Sequence, residues 1–403
     1  MKVEQREVVV IGGGPAGAST AGLLAAQGHD VLLVDRSHFP RVKACAEYMS
    51  PGLTDLMHRL GLSTALRDVE PQPITGMEIV SAGGKRLRVQ YGDAHQQRQA
   101  SSVPREVFDS ALIGHARSVG AEVREGVVAK LPVREDGRVI GVEVAEDGRT
   151  TQIRGRLTIV ADGTRSAMAR GLGLTSPVRW PRRLGLVSYF QGEAELSGAF
   201  GQMHVRAHGY CGVAPLPDGR LNVAVVVKTD AVKQSGLTAT AYFDRWIEQD
   251  VQLSRLLQSC RRVTSVRGVA PIGSRVSRAW APGCLLVGDA AGFFDPFTGE
   301  GIYRAVRGAE LASLIAHSAL RRNGDRQYEL SSYSSLRREA FQQKSAVTAL
   351  VQLFVQYPGL LGYAVPRLRE RQQPREILSN VLGDLIPPAQ FLRPSILWSA
   401  LRP

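Results

Sequence analysis

Residues 7–35 read EVVVIGGGPAGASTAGLLAAQGHDVLLVD. Residues 8–11 form a short unbroken β-branched run, the mark of a strand buried on both faces. Gly12, Gly14 and Gly17 follow at once in G-x-G-x-x-G spacing. Pro15 stands just inside a helix start, where a missing N–H costs nothing. Residues 16–27 read as that helix, Gly28 ends it, and residues 31–34 form a second apolar strand with Asp35 at its end. Each residue type has a task. Gly12 makes the tight turn, Gly14 lets the backbone approach a pyrophosphate, and Gly17 lets helix and strand pack closely. The helix start at Pro15 and Ala16 presents free N–H groups and partial positive charge to that pyrophosphate, and Asp35 can accept from a ribose hydroxyl. Strand, glycines, helix, strand and acid in this order predict a Rossmann-type α/β domain that binds a dinucleotide.

The chain has 403 residues, enough for two domains and a large core. Its net charge of +13 suits an anionic partner. The arginines are scattered, with no basic run of five and no interleaved aromatics, so nucleic-acid binding is not expected. Cys45, Cys211, Cys260 and Cys284 are far apart, which argues against a disulfide framework, a zinc ribbon or a redox dithiol. His204 and His208 are four apart on a segment that reads as a strand, with no Glu beside them, so no metal is expected. Residues 1–7 are polar and lead straight into the first strand; no signal peptide and a cytoplasmic location are expected.

Further along, residues 36–52 read as a loop and 53–60 as a helix. Residues 74–80 and 86–91 alternate around Gly83-Gly84 as a hairpin. Residues 106–119 read as a helix with Val107, Phe108, Ala111, Leu112, Ala116 and Val119 as its apolar stripe. Strands are expected at 122–127, 138–144, 149–153 and 157–161. An antiparallel set follows at 184–190, 199–206, 209–214 and 221–227, then a helix over 239–257 and a strand over 264–270. Residues 284–287 read as a strand and 300–320 as a long helix. The predicted architecture is therefore a Rossmann-type domain (1–72, 99–180 and 268–330) interleaved with an antiparallel-sheet substrate domain (73–98 and 181–267), and a helical C-terminal region (331–403). One dinucleotide fingerprint argues against a separate nicotinamide domain.

Two later segments repeat the logic of a strand ending on an aspartate. VADGTRSAMAR (160–170) places Asp162-Gly163 there, and LLVGDAAGFFDPFTGEGIYRA (285–305) places Gly288-Asp289 there. Such a carboxylate can accept from a polyhydroxyl chain. Pro296 redirects the backbone, and Gly299, Glu300, Gly301 and Ile302 open a helix whose positive end can face a ring oxygen or nitrogen.

Together the three signatures resemble the FAD-dependent oxidoreductases of the para-hydroxybenzoate hydroxylase fold, over roughly residues 8–320. Within that group, FPRVKACAEYMSPG (39–52) and GYCGVAPLPDGRLNVAVVV (209–227) look like the geranylgeranyl reductase branch. The resemblance implies that Gly12, Gly14, Gly17, Asp35 and Arg36 hold the ADP part of FAD, that Arg105 and Val127 contact the cofactor, that Asp289 binds the ribityl chain, and that residues 299–302 line the flavin. It places Cys45 and Glu47 on the loop reaching the active site. Ala46 replaces a loop glycine, while Gly212 and Ala214 replace a bulky Trp and Phe, so substrate preference does not carry over. The W-x-W-x-I-P segment of flavin-dependent halogenases is absent.

Cys45 can act as a proton donor or be a half-buried thiol; Arg41 or Lys43 would make it acidic. Glu47 can orient substrate or be a surface acid. Tyr210 can present its hydroxyl toward the flavin or serve as packing. The expected chemistry is reduction of a carbon–carbon double bond in a small lipophilic substrate, with NAD(P)H or a reduced carrier as electron donor. The alternatives are hydroxylation of an aromatic or polyketide-like substrate, and an FAD-binding electron carrier without substrate chemistry. Residues 346–366 carry no charge, but Pro358 and two glutamines make them a poor membrane span. They read either as a helical cap on the flavin domain or a partner subunit, or as peripheral membrane contact through 346–375. No oligomeric state is legible.

Overall fold

The structure, a computed structural model, describes residues 3–93, 95–176, 178, 180, 182–194, 196, 199–321 and 326–402. Of the spans just read, residues 1–2, 94, 177, 179, 181, 195, 197–198, 322–325 and 403 lie outside them. The first expected unit forms as β1 (Val3–Ile11), α1 (Pro15–Ala26) and β2 (Val31–Asp35). Val8, Val9, Val10, Leu32 and Leu33 are wholly buried, as strands covered on both faces require. The glycines answer to sterics. A Cβ on Gly12, at φ 99°, would meet the Ala161 carbonyl oxygen at 2.5 Å, and one on Gly17 would lie 1.8 Å from the Gly12 carbonyl oxygen.

The chain then visits two layers in turn. After α2 (Pro51–Arg59) comes the hairpin β3 (Gly76–Val80) and β4 (Arg86–Gly92), in a second sheet. It returns through α3 (Arg105–Ser118), β5 (Glu122–Glu125), β6 (Val128–Glu135), β7 (Arg138–Glu146) and β8 (Arg149–Val160). It leaves again for β9 (Arg183–Gly192), β10 (Phe200–Arg206), β11 (Gly209–Pro215), β12 (Arg220–Lys228) and β13 (Arg267–Ile272). It returns once more for β14 (Cys284–Leu286) and α4 (Gly301–Arg321). Parallel pairing orders the first sheet β14-β8-β1-β2-β5. The second sheet runs β13-β9-β12-β11-β10-β3-β4, antiparallel except where β10 meets β3.

Several expectations change. Residues 149–153 and 157–161 are one long strand, β8, because its first half pairs with β7 and its last three residues pair with β14 on the same side. β6 was not expected. The helix over 239–257 breaks into Ala239–Glu248 and Val251–Leu257, because the Asp250 carboxylate caps the second by accepting from Leu253 N–H at 2.9 Å. Val107 is 40% exposed and leaves the apolar stripe of α3, where Ile113 packs instead. The strand expected from 264 begins at Arg267.

The C-terminal region forms α5 (Arg326–Gln356), α6 (Pro358–Glu370), α7 (Gln372–Leu382) and α8 (Pro394–Leu401). α5 packs on α4, but the rest of this cap lies over the second sheet rather than the first, where a cap on the flavin domain was expected. Asn380 of α7 accepts from Gly92 N–H at 2.8 Å and donates to Gly92 O at 2.9 Å, lengthening the edge of β4. α5 and α6 meet at 112°, and among the described residues no single helix is long and apolar enough to cross a membrane.

Because a methyl group on Gly17 has nowhere to go, Gly17→Ala should separate α1 from β1 and cost at least about 2 kcal/mol of stability. Purified Gly17→Ala protein is expected to be colourless and to melt several degrees lower; full flavin content and an unchanged melting temperature would contradict this packing.

Candidate functional site

The two sheets face each other across a cleft of about 1310 Å³. Its floor is the α1 start at Gly14, Pro15 and Ala16, with Gly163, Gly288 and Asp289 alongside. Its far end is walled by Pro296, Gly299, Gly301 and Ile302, and its roof by Tyr210, Gly212, Ala224 and Val226 of the second sheet. Cys45, Glu47 and Arg105 close one side. The residues quoted from three distant segments thus line one continuous space.

The lower part suits an anionic dinucleotide. No side chain caps the N-terminus of α1, and the nearest atom to a Cβ on Gly14 would be Arg41 Nη2 at 3.6 Å. A phosphate can therefore meet free N–H groups, the helix dipole and a guanidinium together. The Asp289 carboxylate lines the cleft and makes no hydrogen bond with the described residues, which leaves it available to hydroxyl donors. Asp35 is committed differently. It accepts from Gly13 N–H at 2.6 Å and Ser37 N–H at 2.7 Å, fixing the glycine turn, and its remaining lone pairs alone are left for a ribose.

Seven cofactor-site residues are absent from the lining: Gly12, Gly17 and Asp35, which build the glycine turn, and four that stand elsewhere. Arg36 is exposed. Val127 is buried in the core, its N–H donating to Asp35 O at 2.9 Å. Asp162 accepts from Ala167 and Met168 N–H at 2.9 and 3.3 Å and so starts the helix Ala167–Gly171; burial pushes its carboxyl up. The Glu300 side chain turns away from the cleft, between Thr348 Oγ1 of α5 at 3.4 Å and Arg304 Nη1 of α4 at 3.5 Å. Burial raises its carboxyl as well.

The loop after β2 carries Cys45 and Glu47 and lies against the start of α3. Arg105 forms a bidentate pair with Asp109 of α3, both contacts at 2.8 Å, and Arg41 approaches the same carboxylate at 3.2 Å. Burial opposes the Arg105 charge, but Asp109 and the adjacent Cys45 outweigh it and hold the guanidinium more firmly protonated than usual. The cation beside Cys45 is therefore Arg105, in place of the Arg41 or Lys43 expected from the sequence.

Glu47 is neither a surface acid nor free. Fully buried at φ 59°, a left-handed backbone that side chains rarely adopt, it accepts from Arg105 N–H at 3.1 Å, from Asn222 Nδ2 at 3.0 Å and from the Tyr189 hydroxyl. It ties the loop to α3 and to two strands of the second sheet.

Tyr210 donates to Asp295 Oδ1 at 2.8 Å and packs edge-on against Phe297. Asp295 also accepts from Phe297 N–H and from Gln352 Nε2 of α5, and faces Arg183 Nε at 3.4 Å. Burial pushes the Asp295 carboxyl and the Tyr210 phenol up. Asp295, Arg183, Gln352, Tyr189 and Asn222 were not singled out in the sequence. Asn222 did carry a signal, being a lone amide in an apolar run, and Gln352 is one of two in another. Arg183 carried none.

A second chamber of about 700 Å³ opens from the cleft past Ala46, Tyr48, Met203, Gly212 and Gly299. Met77, Ile79, Val89, Val213, Phe297 and Leu382 make it apolar. Gly212 leaves it open, since a Cβ there would touch only Met203, at 3.6 Å.

Such a fold and cleft define a flavin-dependent oxidoreductase with one dinucleotide site and a second sheet facing it. The model of the FAD binding domain family matches residues 5–348, and the chain belongs to that family. It is 31% identical over 322 residues to digeranylgeranylglycerophospholipid reductase 1 of Methanopyrus kandleri, covering 78% of this chain and 81% of that one. It is 27% identical over 395 residues to menaquinone reductase of Mycolicibacterium smegmatis, covering 94% and 92%. Among solved structures, a geranylgeranyl bacteriochlorophyll reductase-like protein of Thermoplasma acidophilum superposes with a TM-score of 0.80 at 23% identity, covering 96% and 100%. A myxobacterial chondrochloren halogenase superposes at 0.78 and 24%, covering 84% and 80%; at these identities the likeness is one of fold.

Burial raises the Glu47 carboxyl above its ordinary 4.5. The folded protein thus keeps a proton that the unfolded chain loses, and this residue's contribution to stability falls as pH rises above about 4.5. Glu47→Gln cannot titrate. The melting-temperature difference between variant and parent should therefore shift in the variant's favour from pH 4.5 to pH 7; a pH-independent difference would refute the buried, titrating carboxyl.

Proposed function

We propose that this FAD-dependent oxidoreductase reduces carbon–carbon double bonds of a lipophilic, prenyl-type substrate, with NAD(P)H or a reduced carrier as electron source. The observation that carries the reading is the join between the flavin cleft and an apolar chamber that a lipophilic substrate can enter. The names of the M. kandleri and T. acidophilum proteins support it. FAD, when bound, supplies the hydride.

This chain's residues do the rest. Gly14, the α1 start and Arg41 bind phosphate; Asp289 orients the polyhydroxyl chain. Arg105 and Glu47 hold the loop so that Cys45 Sγ faces the cleft, where it delivers the second hydrogen as a proton. The Tyr210–Asp295 pair fixes the turn beneath Pro296 and Phe297.

The cap supports a reading of peripheral membrane contact. Leu353, Tyr357, Leu360, Tyr363 and Trp398 are all at least 40% exposed, and Arg367, Arg369, Arg371, Arg375, Arg393 and Arg402 lie in the same segment. An apolar patch flanked by arginines suits an anionic bilayer, from which a lipid substrate would enter.

Anaerobic incubation with NADPH and a prenyl substrate should yield a product heavier by two hydrogens; a gain of one oxygen under air would establish hydroxylation instead. Cys45→Ala should keep its FAD and lose turnover by about 100-fold or more; an unchanged rate would clear Cys45. Flotation with anionic liposomes at low salt should carry the protein upward, and Tyr357→Ser/Leu360→Ser/Trp398→Ser should stay at the bottom. Absence of the parent from the liposome fraction would remove the membrane reading.

A further inference from the structure

We infer that the chamber beside the flavin cleft receives the hydroxyl-bearing end of its ligand, a phenol- or quinol-type group on a lipophilic skeleton, rather than a plain hydrocarbon tail. This rests on the reading above that a lipophilic substrate enters the chamber, but not on which bond is reduced.

Three polar groups in an otherwise apolar wall carry it. Thr298 Oγ1 and Asn222 Oδ1 are buried and without a hydrogen-bond partner. Thr298 is 7% exposed and Asn222 1%. Tyr48 and Tyr91 also line the chamber and share a single hydrogen bond, hydroxyl to hydroxyl, at 2.6 Å. Two hydroxyls carry two protons and this bond uses one. Among the described residues no hydrogen bond uses the second, although Tyr91 is 3% exposed and the Asp384 carboxylate lies near enough for its charge to act on both phenols.

Native interiors rarely leave such groups unpaired, because each forfeits its hydration without compensation. A prenyl chain offers them nothing. A carbonyl oxygen could take the tyrosine proton but not satisfy Asn222 Oδ1, which needs a donor. A hydroxyl both donates and accepts, so it can answer the spare phenolic proton, the amide oxygen or Thr298, whichever it meets. Gly212 and Ala214 leave room for a ring where bulky side chains would fill the space.

The test compares 4-geranylphenol with geranylbenzene, which share a skeleton and differ by one hydroxyl. Each is titrated in the same nonionic detergent into FAD-loaded protein, and binding is read from the flavin visible spectrum and fluorescence. The phenol should bind roughly tenfold more tightly. Thr298→Val and the double variant Tyr48→Phe/Tyr91→Phe should each cut that preference several-fold while leaving the affinity for geranylbenzene unchanged. The double variant is needed because either tyrosine alone retains a free proton. Flavin content and melting temperature confirm that the variants fold, and Thr298→Val, nearly isosteric, keeps the test open if the tyrosine variant does not.

Equal binding of the two probes, failure of both to bind, or a phenol preference untouched by the variants would each overturn the inference. A phenol preference lost in the variants, with no product gaining two hydrogens from any prenyl substrate, would leave it standing and refute the proposed reaction.

Discussion

The carboxylate of Glu47 sits where a loop from the dinucleotide layer meets the strands of the other sheet. It has no contact with water and a backbone twist that costs free energy of order 1 kcal/mol or more. Three donors from separate parts of the chain converge on it. Without them the loop bearing Cys45 would have no reason to lie against Arg105, and the cleft would lose one wall. Most of a dinucleotide site can be built within a single Rossmann layer. The reacting end cannot, because it lies between layers that the chain visits in turn, and a buried acid with convergent donors is one means of fixing their spacing.

A parallel arrangement holds the opposite wall. Asp295 precedes the proline that bends the chain toward α4, and it is gripped from the roof by Tyr210 and from the cap by Gln352, with Arg183 balancing its charge. Burial raises both carboxyls, Glu47 and Asp295, as expected of acids whose solvation has been replaced by oriented protein groups. The cleft floor uses no such groups. There the helix start and the unobstructed Gly14 leave polar capacity open for a ligand.

What could be read from the sequence follows from what is local. The glycine turn, its flanking strands and the strand-end aspartates are short-range patterns with steric causes, and they place Gly14, Pro15, Ala16, Gly288, Asp289, Gly299 and Ile302 around one cleft. Asp162, Asp289 and Asp35 look alike in sequence, yet only Asp289 has both carboxylate oxygens uncommitted, because each of the others accepts from backbone N–H groups set by helix and turn geometry. Glu300 reads as a flavin neighbour until α5 is in place to receive it. Cys45 finds its cation in Arg105, about 60 residues away, rather than among its neighbours in the loop, and Arg183 is invisible because its partners come from α5 and the turn after β14. Long-range pairings of single polar groups leave no periodic trace.

The hydrogen bond from Gln352 to Asp295 spans 57 residues and joins the outermost helical layer to the turn that shapes the flavin end of the cleft. The cap is therefore not an interchangeable lid. In a chimera that exchanged the C-terminal helices between relatives, a residue other than glutamine at this position would take one donor from the buried Asp295 carboxylate and the amide acceptor from Arg183. The graft would then disturb redox chemistry at a distance from its own boundary, even where its surface fitted the new host well.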